Sequence, residues 1–422
     1  MPWGCNGYPA SRRAAMPPAE APAARPTAPG THRRVPPETT LARLLPQLAR
    51  LGITRVADIT GLDRLGLPVV TAIRPNARSL AVSQGKGLSL AAAKVAAIME
   101  AAELCHAEQV QGPVRWARAG ELAEGPRLLD PMHLPRSAAD PGYDGPLAWI
   151  EGVDLQRGGP VLVPFACVSA DYTEPAEALG RGLSATTGGL GAGNDRDEAL
   201  VQGLCELVER DAVTLWRAGG VSVRRRTALD PASIDDPVVR DLLDRLAAAG
   251  LRCRVWDATS DVALPVLICL LVGREHDDAD PELGAGCHPR RAAALLRAVL
   301  EAVQARLTFI AGSRDDMGGD LYHPARRAAR RREAIRWLNE PAEPRAFAAL
   351  PDHARPTAAA DLATILAALA RAGLREAAAV DLTRPEIGIP VLRAVVPGLE
   401  GPSDAPDYVP GRRALGLLQF AD

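Results

Sequence analysis

Three long stretches of the chain are apolar almost all the way round a helix, and each is interrupted by one polar line. In the first, Leu90–Val110, Glu100 and Glu103 stand three residues apart among Ala, Ile, Met and Leu, hence on one face. In the second, Asp197–Trp216, the polar line is Glu198, Gln202, Glu206 and Glu209, at i, i+4, i+8 and i+11. Its other faces read Leu200-Val201, Leu204-Cys205 and Leu207-Val208. In the third, Arg291–Ile310, the line runs Arg297, Glu301, Gln304 and Thr308, with Arg306 offset toward the flank. Shorter helices are predicted at Leu41–Leu51, capped by Thr39 or Thr40 after Pro36-Pro37, at Val238–Ala249 and at Ala358–Ala372.

Runs of β type fall at Ile53–Ile59, Val69–Ile73, Leu80–Ser83, Leu147–Leu155, Val161–Ser169, Arg252–Asp257, Pro265–Val272, Ala377–Leu382 and Pro390–Val396. Two glycine-rich segments read as loops leading into long helices. One is Ser83-Gln84-Gly85-Lys86-Gly87, with Ser89 as the helix cap; the other is Thr186 to Asn194, T-T-G-G-L-G-A-G-N. Residues 113–147 are rich in Pro, Gly and Asp, and the Arg-rich stretch 313–335 is expected to be exposed. Strands and helices alternate without a strict βαβ cadence, which indicates a layered α/β fold with mixed sheets. No solenoid-like repeat is apparent. Residues 1–30, rich in Ala, Pro and Arg, are expected to be a flexible leader, and 31–422 a single domain.

Composition narrows the possible functions. The 422 residues are 24% charged and 47% hydrophobic, as in ordinary globular proteins. Lys+Arg number 49 against 51 Asp+Glu, a balance that gives no global attraction to nucleic acid. No apolar run approaches the ~20 residues that cross a bilayer, so a cytoplasmic protein with no membrane partner is expected. The seven cysteines include no C-x-x-C pair, against both a disulfide framework and a Cys-rich zinc site. The other catalytic suggestions are Cys287-His288, which has no identifiable partner, and His106, one helical turn from Glu103, which is expected to be structural.

A buried carboxylate is costly unless it is paired or bound to metal. Glutamates gathered on three apolar helices with few basic neighbours therefore point to a shared cation. Hard oxygen ligands suit Mg²⁺, which combines carboxylates with phosphate oxygens and retained waters. The S-Q-G-K-G segment could present N–H groups and Lys86 to an anion at a helix start. It is not a Walker loop, because the G-x-x-x-x-G-K-[ST] spacing is absent.

These motifs resemble the YcaO domain family. The matching stretches are S-Q-G-K-G with E-A-A-E (Glu100, Glu103), Gly189–Ala212, E-A-V-Q-A-R with G-S-R-D-D (Glu301–Arg306, Gly312–Asp316), and Ile387–Glu400. The resemblance implies a YcaO-type fold, often homodimeric, that binds ATP through Mg²⁺ and activates backbone amides of peptides. Carried over, it implies Glu100, Glu103, Glu206 and Glu209 as metal carboxylates. It implies Arg33, Thr40, Lys86, Asn194, Glu198, Gln202, Arg210, Glu301, Gln304 and Arg306 around the nucleotide, and it names no general base. Two departures stand out: Ala96 replaces a frequent Ser, and Gly188-Gly189-Leu190-Gly191 replaces N-G-L-A.

The tail Leu417–Asp422 lacks the Pro-x-Pro-x-Pro ending frequent in azoline-forming members. The segments G-T-H-R, G-L-D-R-L-G-L-P-V-V and R-S-L-A-V-S-Q-G-K-G resemble the stand-alone branch that works with a TfuA-like protein on a precursor peptide. That branch implies thioamide formation with external sulfide. Azoline formation from Cys, Ser or Thr, and a catalytically silent peptide- or partner-binding protein, are the alternatives.

Overall fold

The structure is a computed structural model that describes residues 33–418 apart from 123, 137–144, 174–181, 185, 275–279 and 406–407. The expected leader, 1–30, and the last four residues of the tail lie outside the described residues. In chain order the helices are α1 (Pro37–Leu44), α2 (Leu90–Ala107), α3 (Arg196–Ala218), α4 (Gly220–Thr227), α5 (Pro237–Ala248), α6 (Arg291–Ala311), α7 (Pro324–Asn339), α8 (Ala358–Arg371) and α9 (Arg412–Leu418). Ser89 caps α2, its side chain accepting the N–H of Ala92, as expected. The Arg-rich stretch is mostly exposed but forms α7, and the first helix breaks into a 3-10 turn after Leu44.

Three sheets carry these helices. One is an antiparallel ladder of β1 (Arg55–Asp58), β2 (Val69–Ile73) and β3 (Val82–Lys86). The largest has β4 (Val114–Ala117), β5 (Arg127–Leu128), β6 (Leu147–Asp154), β7 (Pro160–Pro164), β8 (Leu190–Ala192), β12 (Ala378–Asp381) and β13 (Val391–Val395). Its order is β5-β7-β6-β12-β13-β8, with β4 beside β6, and β5–β7 is its one parallel pairing among the described strands. The third is β9 (Arg252–Asp257), β10 (Val266–Val272) and β11 (Glu282–Cys287), with β10 in the centre. The run V-L-I-C-L-L-V is apolar throughout because β10 is covered on both faces. Val266, Ile268, Leu270 and Val272 join the core that includes α3, and Leu267, Cys269 and Leu271 join the core that includes α6.

Both glycine segments expected as loops contain strand: Val82–Lys86 in the first and Leu190–Ala192 in the second, with Gly188 and Gly189 in a turn. Gly85 lies in β3 and Gly191 in β8, each pressed against the helix that follows. A Cβ at Gly85 would stand 2.1 Å from Ala97 N and 2.2 Å from Ala93 O; one at Gly191 would stand 2.1 Å from Ala199 O. In β11, one at Gly286 would stand 2.2 Å from Ala294 O and 2.6 Å from Ala298 N. These approaches exclude any side chain, so the glycines serve helix–strand contact and not an anion-binding turn.

The three sites follow one spacing. Eight and twelve residues after the glycine come the small residues Ala93 and Ala97, Ala199 and Gly203, Ala294 and Ala298. Fifteen and eighteen residues after it come Glu100 and Glu103, Glu206 and Glu209, Glu301 and Gln304. The fold thus uses one strand–helix unit three times, a short repeat that is not a solenoid. Among the described residues no helix is long and apolar enough to cross a membrane.

Candidate active site

The polar lines of α2, α3 and α6 converge on one cavity of about 1060 Å³. Of the residues expected at a site, Arg33, Thr40, Lys86, Glu100, Glu103, Asn194, Glu198, Gln202, Glu206, Glu209, Arg210, Glu301 and Gln304 all line it. Arg306 does not. Five residues beyond Glu301 it lies about 140° round the helix, buried in a forked ion pair with Asp63 at 2.7 and 3.2 Å. Its expected place at the nucleotide is therefore corrected to a structural one.

Backbone N–H groups fix the carboxylates in a cyclic pattern. The first glutamate of a pair is held by backbone in or just before its own strand: Glu100 accepts from Gln84 N at 3.1 Å and Glu206 from Gly189 N at 3.2 Å. The second is held by the next unit: Glu103 accepts from Ala192 N at 2.7 Å, and Glu209 from Cys287 N at 2.9 Å. Ala192 and Cys287 each follow the contact glycine of their strand. Lys86 occupies that position in the first unit, and its Nζ closes the ring on Glu301 at 3.0 Å.

Burial, then the neighbouring Glu206 and Glu100, pushes the Glu103 carboxyl up to about 8. Burial, then Glu301, pushes Glu209 up to about 7, although Arg210 opposes the rise. Glu100 is raised chiefly by burial. Burial acts upward on Glu301 too, but Lys86 and Arg210 outweigh it and hold that carboxyl below its ordinary value. Such a set is short of positive charge. Among the described residues no three His, Cys, Asp or Glu side chains form a complete metal cage. Mg²⁺ needs no such cage, since one or two carboxylates with phosphate oxygens and waters complete its shell. The oxygen donors and the raised carboxyls fit that ion.

At one end of the cavity sit Arg33 and Arg297. Arg33 Nη2 and Arg297 Nη2 both donate to Gln202 Oε1, at 3.3 and 3.0 Å. The buried Glu198 accepts from Arg34 N, and from the backbone and side-chain nitrogens of Asn194 at 3.0 and 2.9 Å. Thr40 donates to Asn194 Oδ1 at 2.8 Å. This network draws the segment before α1 onto the start of α3, giving a cationic, hydrogen-bonding mouth suited to phosphates and a ribose. Arg210 lies one turn from Glu206, at 3.4 Å.

Sequence reasoning placed Arg297 on the third line without a role, and gave none to Gln84, Arg314 or Asp316, which also line the cavity. The G-S-R-D-D motif was the available signal for the last two. Of the departures, Ala96 lines the cavity, whereas Gly188 only donates its N–H to Thr186. Cys287 and His288 form no nucleophile: the Cys287 thiol is buried against Cys205, and His288 Nδ1 accepts the N–H of Arg290. His106 is buried outside the cavity with Nδ1 on Ala102 O, its pKa lowered to about 4 by burial.

A family model described as YcaO cyclodehydratase, ATP- and Mg²⁺-binding, matches residues 84–400. An uncharacterized protein in the tfuA 3′ region of Rhizobium leguminosarum bv. trifolii is 34% identical over 401 residues, covering 92% of this chain and 94% of its own. The YcaO structure from Methanopyrus kandleri bound with AMPPCP and Mg²⁺ superposes with a TM-score of 0.71 at 23% identity, over 90% of this chain and 98% of that one. A heterocyclase in complex with substrate and cofactor gives 0.72 at 24% identity over 88% of this chain. This chain spans about half of that heterocyclase, 53% of its length. Both structures share the fold.

Proposed function

The chain belongs to the YcaO family, and we propose that it uses Mg-ATP to phosphorylate a backbone amide of a ribosomally made peptide, so that external sulfide can convert the amide to a thioamide. The observation that carries this reading is the convergence of Glu100, Glu103, Glu206, Glu209 and Glu301 from three apolar helices on one cavity beside Arg33 and Arg297.

An amide oxygen is a poor leaving group. Transfer of the γ-phosphoryl group to it releases ADP and leaves an O-phosphorylated imidate. Sulfide attacks its carbon, and the adduct expels phosphate to give the thioamide. Bound Mg²⁺ would supply charge neutralisation for the phosphates, held by the α2 and α3 carboxylates with Glu301. Arg33 and Arg297 would take phosphate oxygens at the mouth, and Asn194 and Thr40 would orient the nucleotide. Backbone N–H groups already hold each metal carboxylate in place, so little reorganisation is needed as charge develops.

The tfuA-region relative supports the sulfur branch and a TfuA-like partner. The family's description as a cyclodehydratase supports azoline formation as a second reading. The two separate by mass. Candidate precursor peptides encoded near the gene would be incubated with the protein, a TfuA-like protein, ATP, Mg²⁺ and sulfide. Exchange of oxygen for sulfur, dependent on sulfide, supports the proposal. Loss of water without sulfide supports the azoline reading, and an unchanged peptide with no ATP turnover would favour a silent binding protein.

A further inference from the structure

The cavity continues past the carboxylates proposed to hold Mg²⁺, away from Arg33 and Arg297. At 1.5 Å per residue, Thr308 lies about 10 Å along α6 beyond Glu301, on the side opposite Arg297. Glu100 is the carboxylate tied to that end, because Gln84 donates its N–H to Glu100 and accepts the Thr308 hydroxyl on its side chain. The charged side chains lining this far end are Arg314, Asp316, Glu282 and Arg330. Arg330 is committed to acids that are themselves largely buried, Asp280 at 3.1 Å and Glu282 at 3.3 Å.

Arg314 is held differently. It stands on a loop that leaves α6 at the left-handed Gly312. The base of the loop is closed by Tyr322, whose hydroxyl donates to Phe309 O at 3.0 Å. Asp315 fastens the loop sideways by accepting the N–H of Ala81 at 3.0 Å. Ala81 lies three residues before Gln84, so the loop is pinned to the segment that grips Glu100. Burial raises the Glu100 carboxyl, and Arg314 is among the groups that oppose the rise. Nε and Nη2 of Arg314 fork onto Asp316, with Nε 2.8 Å from Oδ1. Nη1 has no bond among the described residues and is not shut off from solvent. The Asp316 side chain is 42% exposed, and an ion pair so exposed is weak. Arg314 can therefore exchange that partner for a stronger anion.

In-line transfer brings the acceptor to the terminal phosphorus from the side away from the leaving ADP. With the phosphates running from Arg33 and Arg297 to the carboxylates, that side is the far end. We propose that Arg314 is a catalytic residue whose guanidinium leaves Asp316 and donates to the oxygens of the phosphoryl group as it passes to the amide oxygen. The bond from phosphorus to the bridging oxygen breaks and ADP keeps the electron pair. The new bond forms from the amide oxygen, and the amide N–H proton passes to water. Arg314 gives up no proton; it offsets the charge spread over the equatorial oxygens, which its planar fork suits. The assignment rests on the Mg-ATP reading above and adds to it the residue on the acceptor side of the phosphate.

The test uses the full chain with Mg²⁺ and two probes followed by calorimetry. AMPPCP reports the bound nucleotide, and ADP with aluminium fluoride mimics the phosphoryl group in transfer. In the unmodified chain, aluminium fluoride is expected to tighten ADP at least about a hundredfold, the lower end for transition-state mimics. In Arg314→Ala that gain is expected to fall below about tenfold, with AMPPCP affinity unchanged. Dilute guanidinium chloride is expected to restore part of the gain, which a merely structural loss would not allow. Arg314→Lys keeps a cation beside Asp316 and removes the fork. It is expected to lose most of the gain, and it judges the proposal if Arg314→Ala does not fold. An undiminished gain in either folded variant, a parallel loss of AMPPCP affinity, or no gain in an unmodified chain that binds AMPPCP would each overturn the assignment. Failure of AMPPCP to bind the unmodified chain would overturn the Mg-ATP reading and this assignment with it.

Discussion

The carboxylate of Glu209 on α3 accepts the backbone N–H of Cys287 at the end of β11, 2.9 Å away, so a carboxylate proposed to hold Mg²⁺ on one unit grips the strand of the next. Glu103 makes the same contact with Ala192. The carboxylates thus join the three units as well as face the cavity. Glu209→Gln keeps an acceptor for Cys287 N and is expected to fold with near-native stability while Mg-nucleotide affinity falls at least about tenfold, the loss of one charge-assisted contact. Glu209→Ala leaves that N–H without its acceptor and is expected to cost a further ~1–3 kcal/mol of stability. Chemical denaturation beside calorimetric nucleotide titration checks both.

Metal binding should depend on pH. With Glu103 raised to about 8 and Glu209 to about 7, the metal-free folded state holds protons that the unfolded chain releases near 4.5. Its stability therefore falls as pH rises from about 4.5 toward 8, because the folded state binds more protons throughout that window. Mg²⁺ needs the ionised carboxylates, so its binding strengthens over pH 6–8 and releases protons. Thermal melts with and without Mg-nucleotide should diverge as pH rises. Titrations in buffers of different ionisation enthalpy should register the released protons.

Filling a contact glycine should be severe. Gly286→Ala places a Cβ 2.2 Å from Ala294 O, where both partners are backbone and cannot step aside. A loss of about 3 kcal/mol or more is expected, against little change for Gly120→Ala, which meets open space. Urea unfolding of the two variants gives the comparison.

Asp63→Ala should separate structure from site. It removes the forked ion pair of the buried Arg306 guanidinium, at an expected cost of about 3–5 kcal/mol. In the protein that still folds, nucleotide affinity should match that of the unmodified chain, measured at low temperature by calorimetry. A selective loss of affinity without destabilisation would return Arg306 to the nucleotide site.

The polar lines were legible because Glu100, Glu206 and Glu301 each interrupt a run of apolar residues, such as Leu204-Cys205 and Leu207-Val208 on either side of Glu206, and so stood out without any knowledge of the fold. The glycine end of β3, beyond the run expected at Leu80–Ser83, and the strand β8 were not, because glycine ordinarily signals a turn. Only the helix backbone lying against Gly85 and Gly191 turns that residue type into a packing requirement. The threefold recurrence was present as a glycine followed fifteen residues later by glutamate, but the intervening side chains differ enough to hide it. Arg306 was misplaced since a sequence neighbour of Gln304 can point to the opposite side of the helix.

The most direct test of the nucleotide site is isothermal titration of Mg-ATP into the purified chain beside the double variant Glu206→Gln, Glu209→Gln, with folding checked by circular dichroism. The expected result is Mg²⁺-dependent binding that the folded variant has lost. Equal binding by both proteins, or none by the folded unmodified chain, would contradict the assignment of the three carboxylate lines to a Mg-ATP site.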